Sequence, residues 1–293
     1  MSKKDFSLAL FVTLIWGLNF SVIKIGLLSL DPFILAGIRF LLCSFPLVFF
    51  IKKPAIPMKY IVSYGLGLGV FLWGVVYLGM YFGMSAGIAG LILQTSVFFT
   101  VIIGAILFGE EIDLSKRVAL LLALIGLVLI MSATDGSTTA LGLILVIFAA
   151  ISMSSINIIA KSANTKDVFS FLVWASLFPI IPLFILAYLT NGMSVFTGFI
   201  SSLDGNAVFS ILFTVYPVTL FAYWIWNKLL HKYSVASVVP LSLFVPIFAL
   251  IGSYFILGEQ IGIIKIIASL LILIALLINT FGIKIFLRKY KGV

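Results

Sequence analysis

Residues 254–259 read Tyr-Phe-Ile-Leu-Gly-Glu, and residues 105–110, which lie 149 positions earlier, read Ala-Ile-Leu-Phe-Gly-Glu. Sliding the chain by that offset superposes Gly109-Glu110 on Gly258-Glu259 and brings Ser85 onto Ser234. Each Gly-Glu pair closes a long apolar run. Working outward from the two pairs divides the chain into ten such runs, at about 6–25, 32–51, 60–82, 86–108, 116–132, 140–160, 167–190, 206–230, 235–257 and 263–285. A helix crosses a bilayer with about 20 mostly apolar residues, and the runs are close to that length. They are too long for barrel strands and lack a two-residue alternation, which favours helices. The expected fold is an all-α integral membrane protein with ten transmembrane helices.

Composition agrees with the run lengths. Of 293 residues, 63% are hydrophobic and 9% are charged, against roughly 25% charged in a soluble domain. So few charges cannot cover a water-facing surface, which excludes soluble, disordered, collagenous and nucleic-acid-binding classes. The excess of 18 Lys and Arg over 9 Asp and Glu is the kind found on cytoplasmic loops. With the N-terminus inside, 15 of the 18 basic residues fall on inner segments, while Asp31, Asp135, Asp204 and Glu259 fall outside. Both termini are therefore expected in the cytoplasm. The first run, Phe6 to about Gly26, exceeds a signal peptide's apolar core and contains Trp16, Asn19 and Lys24, so it reads as a retained first span. Connections are short except for 191–205, which is long enough for a short interfacial helix. The single Cys43 and single His231 offer no disulfide, thiolate cluster or hydrolytic triad, so no metal or cofactor is expected.

Five spans per repeat is an odd number, so the second repeat must sit upside down relative to the first. The expected division is 1–135 for the first five-helix repeat and 136–293 for the second, inverted one. Glu110 then lies inside and Glu259 outside, as the charge distribution requires independently. Inverted repeats are an architecture of alternating access, with the substrate site near the midplane between them.

The motif Trp16-Gly17-Leu18-Asn19-Phe20 is followed by Lys24, then by Pro32 with Arg39-Phe40, and by Ala86-Gly87 opening the fourth span. Together with the two Gly-Glu ends, Gln94 and the run Pro240-Leu241-Ser242-Leu243-Phe244-Val245-Pro246, these resemble the drug/metabolite transporter superfamily, EamA branch. The resemblance covers essentially the whole chain. It implies a carrier in the bacterial inner membrane, not an enzyme, that exports small amino acids or related metabolites of the cysteine and O-acetylserine kind. Its implied partners are a small-molecule substrate and the lipid bilayer, with no nucleic acid, and it acts as a monomer or homodimer. A carrier or exchanger of another small organic anion or metabolite is the alternative, and a membrane-embedded enzyme is a distant third.

Polar groups inside a span are costly and face a cavity or a protein partner. Arg39 lies seven residues beyond Pro32, about 10 Å into the outer half. Its guanidinium can fork onto a carboxylate, or snorkel outward, or cap carbonyls. Lys24 can line the cavity or snorkel to the interface. Asn19, and Asn157 as its counterpart in the second half, suit a polar ligand or an interhelical hydrogen bond. Gln94 stands mid-span with Ser96 and Thr100 nearby. Trp16, Tyr77, Tyr81 and Tyr223 offer aromatic walls for an ammonium group, and Asn227 shares a helix face with Tyr223. All nine acidic residues fall at or beyond span ends. No mid-membrane carboxylate is present to exchange protons against a cation, which favours neutral or zwitterionic solutes.

Overall fold

The computed structural model describes residues 1–108, 111–132, 138–165, 167–260 and 262–282, leaving aside the side chains of residues 107, 108, 235 and 236. Among them are ten helices long and apolar enough to cross a membrane. In chain order, spans one to five are Lys3–Gly26, Pro32–Phe49, Met58–Tyr81, Ala86–Ile106 and Leu114–Ser132. Spans six to ten are Ala140–Ala163, Val168–Asn191, Gly205–Lys232, Val239–Leu257 and Ile263–Phe281. These bounds stay within a few residues of those read from hydrophobic run lengths. The long connection after span seven carries one four-residue helix, Ser194–Thr197. Glu110, Asp135, Lys166 and the C-terminal basic residues Lys284, Arg288, Lys289 and Lys291 lie outside the described residues.

Local chemistry sets the span starts. Ser2, Asp31, Ser85, Thr139, Asp167 and Asp204 each accept a backbone N–H of the following first turn. They satisfy donors that a helix leaves unpaired at its N-terminus. Asp31 is followed by Pro32, whose fixed φ and missing N–H suit the first helical position.

The principal contacts between spans map onto one another when the two halves are exchanged. Span one packs chiefly on spans nine and eight, and span six on spans four and three. Spans two and seven, four and nine, and five and ten pair with each other. Irregular backbone falls at matching places too. Spans three and eight widen into π-helix over Gly67–Gly74 and Thr214–Phe221. Span four breaks at Thr95, and span nine begins with a 3-10 turn over Val239–Leu243. Pro217, inside the widened turn of span eight, has no N–H for the regular ladder, which is a physical cause of the local change.

Close approach depends on small residues. A Cβ on Gly65 would collide with the carbonyl oxygen of Ala175, so span three can lie against span seven only because that position has no side chain. The outward faces are apolar, with Ile106, Ile181, Leu189 and Phe255 among the most exposed. A lipid-facing surface requires this.

Candidate functional site

Span two carries Arg39 to the crossing of spans two, three and eight. The residue is 1% exposed and does not snorkel. Its Nε and Nη2 donate to the Thr219 hydroxyl at 3.2 and 3.0 Å, and its Nη1 donates to the Tyr77 hydroxyl at 3.1 Å. Thr219 sits in the widened turn of span eight, where its own hydroxyl donates to the Thr214 carbonyl at 2.7 Å. The proton points along the helix, and the oxygen is left to accept from Arg39. The guanidinium also lies 4.3 Å from the Trp73 ring centre. No carboxylate among the described residues pairs with it, since the ion pair found there joins Lys232 to Asp5 at the far end of span eight. A buried cation without a counter-ion is costly, and two hydroxyls and an indole face offset only part of that cost.

A second aromatic group adjoins the first. Trp16 meets Tyr223 and Trp226 at 5.3 and 5.0 Å between ring centres, and its Nε1 donates to the Val218 carbonyl. Tyr223 lies within electrostatic reach of Arg39, and Tyr64 within reach of Tyr223. Asn227, four residues beyond Tyr223, is half-buried, and its Nδ2 has no partner among the described residues. Asn19 is 1% exposed, and neither amide atom has a partner there. Gln94 donates to the Ser242 carbonyl at 3.0 Å, joining the break in span four to the 3-10 turn of span nine.

Lys24 has a different setting. Its ammonium donates to the carbonyls of Met80 and Met84 at 2.6 and 3.2 Å, where span three ends. The Glu259 carboxylate is within electrostatic reach. Glu259 also accepts from Ser85 Oγ at 2.6 Å and the Ala86 N–H at 3.0 Å. The glutamate after span nine thus caps the start of span four. On this same face Asp31 accepts from Asn191 and Asp204 accepts from Ser29, each at 2.7 Å, which fastens the long connection over the loop after span one. Burial pushes the Asp31 carboxyl up, while the Ala207 N–H and the Ser29 hydroxyl hold Asp204 below the usual carboxylate value.

Of the residues singled out from sequence, the structure brings Arg39, Tyr77, Trp16 and Tyr223 into one neighbourhood. Asn19 follows Trp16 by three residues and Asn227 follows Tyr223 by four, while Gln94 joins span four to span nine. Tyr81 is 56% exposed and lines a surface groove of about 360 Å³ beside Asp31 and Asn191. Asn157 is exposed and joins none of these groups. Spans one and six are both 24 residues long, so Lys24 aligns with Lys161 but Asn19 aligns with Ile156, which is buried. One residue of register is about 100° of rotation, enough to turn Asn157 outward. Sequence reasoning missed Trp73, Thr214 and Thr219. The spacing of Trp73 four before Tyr77 was a legible signal for the first, and Pro217 was a hint of the widened turn that aims the threonines.

Residues 4–132 and 140–281 match the EamA-like transporter family. The chain belongs to that family. It is 37% identical over 290 residues, 97% of either chain, to a protein of Escherichia coli K12 named "probable amino-acid metabolite efflux pump". It is equally similar, over 291 residues, to the protein of that name from Salmonella typhimurium. The uncharacterized transporter YoaV of Bacillus subtilis is 27% identical, covering 92% of this chain and 94% of its own. A crystal structure with 15% identity covers 100% of both chains at a TM-score of 0.61, which bears on the fold alone. As an EamA-like transporter the chain is a multi-pass membrane protein. Among the described residues of this EamA-like protein there is no His, Cys, Asp and Glu grouping that could hold a metal ion.

Proposed function

We propose that this chain is a secondary transporter exporting small amino acids or related metabolites, of the cysteine and O-acetylserine kind, across the cytoplasmic membrane by alternating access. In this reading residues 1–135 and 136–293 are inverted five-helix repeats, both termini are cytoplasmic, and the seam between the repeats opens to each side in turn. The pairing of spans under exchange of the halves and the names of the two bacterial relatives support it.

The observation that carries the reading is Arg39, a buried guanidinium held by neutral hydroxyls and stacked on Trp73. Hydroxyls are displaceable acceptors, and a substrate carboxylate is a stronger one that presents two oxygens to the planar fork. Tyr77, Trp16 and Tyr223 form the walls beside it. Lys24 and Glu259 act at one end, where they tie span three to span one and span four to the end of span nine. Since Arg39 has no acidic residue beside it, a carboxylate lacking an amino group is the second reading.

The test is counterflow of labelled cysteine and O-acetylserine into proteoliposomes. Wild-type protein is expected to exchange them, and Arg39→Ala to abolish exchange while the folded yield stays unchanged. Normal flux in Arg39→Ala would remove Arg39 from the site and the main support of the proposal with it.

A further inference from the structure

Asn19 is fully enclosed, yet both atoms of its amide lack a hydrogen-bond partner among the described residues. A buried polar group left unpaired is costly, and here a donor and an acceptor on one side chain are both unpaired. The helix register shows where the amide looks. Trp16 and Gly26, three residues before and seven after, share its face of span one. Trp16 donates to the Val218 carbonyl, and Gly26 lies against Ser210, both on span eight. Asn19 therefore faces the part of span eight between those contacts, which takes in the first half of the widened turn Thr214–Phe221. Arg39 reaches that same turn from span two through Thr219. One irregular turn thus has a guanidinium without a carboxylate on one side and an amide without a partner on the other.

From this juxtaposition we infer that Asn19 reads the amino group of an α-amino acid whose carboxylate is held by Arg39, its Oδ1 accepting from the substrate ammonium. This rests on the amino-acid reading of the site and deepens it. An acidic side chain in the place of Asn19 would pair with Arg39 itself across the turn and shut out the substrate. A neutral amide recognises the ammonium without that competition. The site then requires both charged groups of the zwitterion and discriminates against the same carbon skeleton without its nitrogen.

The experiment compares cysteine with 3-mercaptopropionate, which differs by that nitrogen, as competitors of counterflow and as stabilisers in thermal unfolding. Wild-type protein is expected to prefer cysteine by about tenfold, the worth of one net hydrogen bond. Asn19→Leu, close in shape, is expected to bring the ratio near one by weakening cysteine alone. It should also raise the unfolding midpoint without added solute, because no unpaired amide remains. A purely structural amide would give a lowered midpoint and an unchanged ratio, and that result overturns the inference. Asn19→Ala, which adds no branched bulk, reads the same ratio should the leucine variant not fold. Equal affinity of wild-type protein for the two compounds also overturns it, in favour of the organic-anion reading. If cysteine neither stabilises nor exchanges with wild-type protein, the amino-acid proposal fails, and this inference fails with it.

Discussion

Replacing Thr219 by valine tests how Arg39 is held. The substitution keeps the branched shape and exchanges a hydroxyl for a methyl group. It removes the acceptor shared by Nε and Nη2 of Arg39, at 3.2 and 3.0 Å, and the hydroxyl's own bond to the Thr214 carbonyl at 2.7 Å. Two donors of a buried cation are then unpaired, at about 1–3 kcal/mol for such a loss, with roughly 1 kcal/mol more for the carbonyl. The expected destabilisation is about 3 kcal/mol. Tyr77→Phe removes a single acceptor, from Nη1 at 3.1 Å, and should cost about 1.5 kcal/mol. In purified protein these correspond to midpoint decreases of about 6 and 3 °C at roughly 2 °C per kcal/mol for a large chain. Tryptophan fluorescence during heating measures both. The same logic fixes a second sign. If a substrate carboxylate displaces Thr219 from the guanidinium, the valine variant has less to displace, and cysteine should stabilise it more than it stabilises wild-type protein. A valine variant as stable as Tyr77→Phe, or less responsive to cysteine than wild type, would refute the reasoning.

Gly65→Ala should lower the midpoint by the equivalent of about 3 kcal/mol, as much as the Thr219 change, because the new methyl meets the backbone oxygen of Ala175 and a backbone cannot rotate away. Thermal unfolding of that variant measures it. On a Cys43→Ser background, a cysteine at exposed Lys53 should react with an impermeant maleimide only from the inner side, and one at exposed Ser201 only from the outer side; the reverse pattern reverses the orientation. Asp204 has a depressed pKa, so its cap on span eight and its bond to Ser29 contribute above the usual carboxylate range and weaken as pH falls through the lowered value. Asp204→Asn keeps an acceptor for the cap and should flatten this acid limb in a thermal-midpoint titration, whereas Asp204→Ala should lower stability at neutral pH as well.

Membership of a span is a local property, decided by some twenty consecutive side chains and the polar residues that end them, and that is why span number and bounds were legible in the chain. The caps at Asp31, Ser85 and Asp204 are local for the same reason, since donor and acceptor are two or three residues apart. Arg39 was legible because a guanidinium in an apolar run must be accounted for wherever it lands. Its partners were not. Thr219 lies 180 positions away, in the turn of span eight that widens around Pro217. Glu259 similarly caps a helix 173 positions earlier in the chain. Asn157 marks the boundary between the two kinds of information. Its residue type matched Asn19, but rotation about the helix axis is fixed by what packs against the helix, and a single residue of register turned it to the outside.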